Sequence, residues 1–137
     1  MEYKGQAIQC HTLENNITEL KFDSPDDSVN KFDKNSLQEL DEVVKLLGID
    51  KSVKGLLISS GKETFIVGAD INQFLETFKE PMDKLVQWVK DSQKVFSNLE
   101  NLNIPIVCAI NGFALGGGFE LCLACTYRVA STEAKIG

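Results

Sequence analysis

An α/β fold follows from three observations on the 137-residue sequence. Short apolar runs recur at residues 18–22, 55–60 and 105–110. Long stretches with helical periodicity lie between them, and strand-like and helix-like segments alternate, as an α/β chain requires. The length suits one domain with a hydrophobic core, and no linker, repeat or low-complexity tract divides residues 1–137.

The first run, Thr18 to Phe22, alternates: Thr18, Leu20 and Phe22 stand against Glu19 and Lys21. That is strand periodicity, and Ala7 to Cys10 supplies a partner across a turn at Glu14-Asn15-Asn16. Ser24-Pro25-Asp26-Asp27 has the composition of a loop. Ser36 with Glu39 three residues on matches a capping box, and Leu37, Leu40, Val43, Val44 and Leu47 repeat at helical spacing. Gly48 is placed to end that helix. Gly55 to Ser60 reads as a strand buried on both faces. A second helix is predicted from Pro81 to Leu102, with Leu85, Trp88, Val89, Ser92, Val95, Phe96 and Leu99 on one face and Pro81 in its first turn. Pro105 to Ile110 reads as another strand buried on both faces, broken by Asn111-Gly112.

Composition narrows the function. A net charge of -6 argues against nucleic acid, whose phosphates select basic surfaces. It leaves room for an anionic small ligand, which needs only a local patch. No apolar run is long enough to span a bilayer, and no signal-peptide stretch follows Met1. A cytoplasmic setting is expected. Cys108, Cys122 and Cys125 lie in apolar segments and read as small buried hydrophobes rather than as metal ligands or a disulfide.

Two glycine-bearing loops each follow a strand and lead toward a helix. One is Phe65-Ile66-Val67-Gly68-Ala69-Asp70-Ile71; the other runs from Asn111 through Gly116-Gly117-Gly118 to Glu120. Glycine removes the Cβ that would hold a ligand off the backbone, and a helix start adds free N–H groups and a positive dipole end. Donors converging from two such loops can bind an oxygen as it gains charge. The plainer alternatives are turn geometry for the glycines and a dipole-favoured first-turn acid for Glu120. Against the second, Glu120 precedes Leu121-Cys122-Leu123-Ala124-Cys125, an apolar stretch expected to be buried, which marks the carboxylate as a proton-transfer candidate. A dinucleotide fingerprint fails at Leu121, and no P-loop or nucleophile elbow is present.

Taken together, these two loops resemble those of the enoyl-CoA hydratase/isomerase (crotonase) superfamily, and the likeness extends over nearly the whole chain. Ser28-Val29-Asn30-Lys31-Phe32 and the Phe65 to Ile71 loop resemble most the N-terminal domain of bacterial fatty-acid oxidation complex α-subunits. The resemblance implies a spiral of ββα units and an acyl-CoA thioester ligand. It implies an oxyanion hole from the backbone N–H groups of Ala69 and Gly117. Gly68, Asp70, Ile71, Asn72 and Gly116 would border the bound substrate, and Glu120 would be one of two catalytic glutamates. The expected reaction is hydration of trans-2-enoyl-CoA, with isomerisation of Δ3-enoyl-CoA as a further reaction.

The same resemblance would continue past Ile136-Gly137 to a second glutamate, so the fold is expected to be incomplete at the C-terminus and the chain, taken alone, weakly active or inactive. No cofactor is expected beyond the coenzyme A of the substrate; NAD would belong to an absent dehydrogenase domain. Self-association and a thiolase β-subunit are the implied protein partners. The alternative is an acyl-CoA-binding or subunit-assembly module without turnover.

Overall fold

The computed structural model describes residues 1–137. Three antiparallel strands open it: β1 (Tyr3–Lys4), β2 (Ile8–Thr12) and β3 (Ile17–Phe22). The turn between β2 and β3 is Glu14–Asn16, where Asn15 and Asn16 take positive φ, as asparagine tolerates. Helix α1 (Lys34–Ile49) then crosses to β4 (Gly55–Ser60), parallel to β3. Helices α2 (Ile71–Thr77) and α3 (Met82–Glu100) lead to β5 (Ile106–Ile110). A short strand β6 (Phe113–Ala114) and helix α4 (Gly117–Ala124) precede β7 (Tyr127–Ala130) and β8 (Lys135–Ile136).

The main sheet has the order β1-β2-β3-β4-β5-β7, parallel from β3 onward. Parallel neighbours need crossovers, and here each crossover carries helix. Each also carries a short extended piece before its helix. Phe32 bridges Ala69, Ile66 bridges Ala114, and β6 pairs with β8, all in parallel. The chain therefore repeats a long strand, a short strand and a helix, and the short strands stack as a second layer. That is the expected spiral of ββα units.

Burial follows the pleat. Ile8, Cys10, Leu20, Phe22, Leu56, Ile58, Ile106, Cys108 and Ile110 alternate into one core with Leu40, Val43 and Leu47 of α1 and Leu99 of α3. The other face is more open: Leu57, Val107 and Ala109 are only half-buried, so β4 and β5 are not enclosed on both faces as their apolar runs suggest. All of β7 is exposed.

Helix ends depart from the sequence reading in ways that have clear causes. The capping box is Asp33 with Ser36, not Ser36 with Glu39: Asp33 Oδ1 accepts the Ser36 N–H at 2.7 Å and Ser36 Oγ accepts the Asp33 N–H at 2.9 Å. Glu39 is buried and occupied elsewhere, accepting the N–H groups of Gln6, Ala7 and Ile8 at 2.7, 2.9 and 2.9 Å. Three backbone donors offer a buried carboxylate far more than one cap position can. Gly48 lies inside α1, which ends at Ile49 with Asp50 as its C-cap. Pro81 is the N-cap of α3 rather than a first-turn residue, and only Val95 and Leu99 of that helix are fully buried.

Candidate active site

Both glycine loops leave the C-terminal ends of parallel strands, and they hydrogen-bond to each other. The N–H groups of Phe65 and Ile66 donate to the Phe113 carbonyl at 3.0 and 3.2 Å, and the Leu115 N–H donates to the Ile66 carbonyl at 3.0 Å. Phe65 and Ile66 are fully buried, so this crossing point is anchored in the core. Two glycines of the triplet are required there. Gly116 has φ +53, left-handed backbone that a side chain strains. At Gly118 a Cβ would run into the Ile66 carbonyl.

Beyond the crossing, the loops open onto a cavity of about 220 Å³. Ala69, Gly117 and Glu120 are on its wall, with Phe32, Leu37, Phe74, Trp88, Val89 and Phe96 forming an apolar lining. The ring of Phe32 packs on Gly117, where a Cβ would lie 3.2 Å from Cδ2. Neither the Ala69 nor the Gly117 N–H donates to an acceptor in the protein. Gly117 is the first residue of α4, so its N–H also carries the positive end of the helix dipole. A larger depression of about 560 Å³ lies between α1 and α3, abutting the cavity at Leu37, Trp88 and Ser92. It is walled mainly by charged and polar side chains, Lys34, Asp41, Lys45, Asp91 and Lys94 among them, and receives no backbone donors from the loops.

The structure thus gathers three of the sequence-derived site residues, Ala69, Gly117 and Glu120, on one wall. Gly68, Asp70, Ile71, Asn72 and Gly116 adjoin it along the chain without lining it. Asp70 caps α2, accepting the Gln73 N–H at 3.1 Å, while Ile71 and Asn72 are exposed. Glu120 is exposed too, in the first turn of α4. The helix behind it is not wholly buried as its composition suggests. Leu121, Cys122, Ala124 and Cys125 face the core, but Leu123 is 57% exposed, because eight residues of helix turn one side outward whatever their type.

Phe32 and Leu37 are lining residues that sequence pattern did not single out for the site. Phe32 meets Gly117 only through tertiary packing, and no local signal announces it.

The cysteines behind α4 are buried free thiols, as expected for Cys108, Cys122 and Cys125, and Cys10 joins them in the core. The Cys122 and Cys125 S–H groups donate to the carbonyls of Gly118 and Leu121 at 3.2 and 3.3 Å, and neighbouring Cys108 together with burial pushes both thiols up. Arg128 closes the helix, donating to the carbonyls of Cys122 and Cys125 at 3.0 and 3.1 Å.

Known proteins resemble this chain in sequence and in fold. Residues 12–137 match the family described as enoyl-CoA hydratase/isomerase. The full chain is 51% identical to the fatty acid oxidation complex subunit alpha of Pseudomonas entomophila, covering 19% of that protein. A solved enoyl-CoA hydratase from Shewanella pealeana superposes with a TM-score of 0.88 at 19% identity, over 95% of this chain and 48% of that one. An enoyl-CoA hydratase from Bacillus anthracis gives 0.86 at 25% identity, over 96% and 50%. The chain spans 19% of the length of the curated relatives it matches, and 48% and 50% of these two solved chains.

Proposed function

Because the chain belongs to the enoyl-CoA hydratase/isomerase family, we propose that its two glycine loops polarise an acyl-CoA thioester in a fatty-acid β-oxidation protein that hydrates trans-2-enoyl-CoA. One observation carries the reading. The Ala69 and Gly117 N–H groups come from separate loops, lack acceptors within the protein, and share a cavity wall with the Glu120 carboxylate.

In this mechanism the thioester oxygen accepts both N–H groups. Water, positioned by Glu120 and a second acid beyond these residues, gives up one proton to this pair of carboxylates as its oxygen adds at the β-carbon. The C=C electron pair shifts toward the carbonyl, giving an enolate whose charge rests on the oxygen between the two donors. A proton then returns to the α-carbon, restoring the thioester as 3-hydroxyacyl-CoA. The apolar wall of Phe32, Leu37, Phe74, Trp88, Val89 and Phe96 suits the acyl chain. Asp70, Ile71 and Asn72 would follow the pantetheine arm, with Gly68 and Gly116 holding the two backbones in place. The reading calls for no cofactor beyond the substrate's own coenzyme A. It carries with it a cytoplasmic setting, self-association and a thiolase β-subunit as partner. No helix is long and apolar enough to cross a membrane.

Glu120 is the sole ionisable side chain on the cavity wall, and that favours a second reading. One base suffices to move a proton from C2 of a Δ3-enoyl thioester to C4, shifting the double bond to C2=C3. Acyl-CoA binding without turnover is the outcome that would displace both.

The test is Glu120→Gln in the full-length protein, following loss of the conjugated thioester absorbance of crotonyl-CoA. Hydration should fall ~10²–10⁴-fold, the usual worth of general acid–base catalysis, with thioester affinity retained. Near-normal hydration would leave Glu120 as a helix-start acid and the proposal wrong.

A further inference from the structure

We propose that Asn30, outside both glycine loops, is the positioning residue that aims the Ala69 N–H into the cavity. The inference rests on the thioester-binding reading above and extends it to a residue that touches no substrate.

Asn30 is completely buried. Its Nδ2 shares two N–H groups among three acceptors, the carbonyls of Phe22 at 3.1 Å and Phe65 at 3.0 Å and Ser60 Oγ at 2.9 Å, while Oδ1 accepts the Ser24 N–H at 3.0 Å. The amide orientation is determined by these partners, since the reverse would set its oxygen against two carbonyl oxygens. One side chain therefore joins the end of β3, the end of β4 and the start of the first glycine loop. Ser60 Oγ extends the tie by donating to the Thr64 carbonyl at 2.6 Å.

The backbone beside Asn30 does the aiming. Its carbonyl accepts the Val67 N–H at 2.9 Å; two residues on, the Phe32 N–H donates to the Gly68 carbonyl at 2.7 Å and the Phe32 carbonyl accepts the Asp70 N–H at 2.9 Å. The Gly68–Ala69 peptide is trans. With its carbonyl turned toward Phe32, its N–H must point the opposite way. Ala69 thus turns its donor away from the 30–32 segment, on the wall shared with Gly117 and Glu120. Moving residues 30–32 turns that peptide. Asn30 is what holds them to two strands at once.

The experiment reads the donor directly. Butyryl-CoA labelled with ¹³C at the thioester carbonyl is saturated and cannot be hydrated, and its C=O stretch falls in frequency when donors bind the oxygen. In the full-length protein, Asn30→Ala should lose at least half of the wild-type frequency shift. Its kcat for crotonyl-CoA should fall ~10²-fold, the effect of a misplacement near 1 Å, while butyryl-CoA affinity changes little. Val44→Ala, a core truncation in α1, serves as the control that lowers stability and keeps the full shift. Ser60→Ala should show a smaller loss in the same direction, and decides the matter should Asn30→Ala not fold. A full shift in Asn30→Ala, or in Ser60→Ala where that variant decides, overturns the inference alone. Loss of affinity in step with the shift also overturns it, by making Asn30 merely structural. Absence of any shift in the wild type overturns the thioester reading, and this inference with it.

Discussion

Between Phe65 and Asn72 the backbone is held by side chains and a neighbouring extended segment, whereas between Gly112 and Glu120 it is held by the close approach of bare backbone. Asn30 and Ser60 tie down the start of the first loop, and Asp70 caps its exit. The second loop depends on Gly116 at positive φ and on Gly118 beneath the Ile66 carbonyl. The helices that follow differ likewise. α2 leaves Ile71 72% and Leu75 55% exposed, while α4 buries Leu121 and Cys122 completely. A donor held by side-chain hydrogen bonds can be retuned by substitution at a distance. A donor held by the absence of Cβ atoms cannot.

The largest effect expected of a test of that contrast is at the donor of the first loop. Ala69→Pro deletes the N–H and should cost ~10²–10³-fold in hydration by the full-length protein, the usual result of removing one oxyanion donor. Ala69→Gly keeps the N–H and should cost far less. Equal activity of the two variants would show that this N–H has no part in turnover.

Next comes Gly118→Ala, which sets a methyl group against the Ile66 carbonyl, where neither partner can move alone. A destabilisation of ~1–3 kcal/mol or more is expected by thermal or urea unfolding. Gly117→Ala meets only the edge of the Phe32 ring and should destabilise less. Reversal of that order would mean the crossing of the loops is looser than the structure shows.

The smallest effect is expected at Asp70→Ala, which removes the cap of a short exposed helix for ~1 kcal/mol. Amide exchange within Ile71–Thr77 should quicken while the melting temperature barely moves. A large global loss would tie α2 to the core more firmly than its exposure implies.

Much of the site was legible because its chemistry is local. Glycine at 68 and 116–118, an acid at 120 and preceding strands are a contiguous pattern, and that pattern puts backbone donors at loop ends. Cavity walls are different. Phe32 reaches Gly117, and Trp88 and Phe96 line one cavity with Ala69, across sequence gaps that no periodicity bridges.

Glu39 shows where the boundary falls. Read locally, Ser36-Leu37-Gln38-Glu39 has the spacing of a capping box. Only folding brings the N–H groups of Gln6, Ala7 and Ile8 against that carboxylate and leaves the cap to Asp33. Alternating apolar residues, helix periodicity and glycine placement were enough for the sequence alone to mark β2 to β5, helices α1 and α3, their α/β order and the two loops, because those are short-range consequences of sterics and side-chain direction; the short strands β1, β6, β7 and β8 and helix α2 carry no such local signal. Tertiary structure alone decided which polar groups meet inside: Glu39 with the β1–β2 turn, Asn30 with two strand ends and a loop, and the Ala69 N–H with open space. Buried hydrogen bonds are satisfied by whichever partner the fold delivers, and sequence spacing does not record that choice.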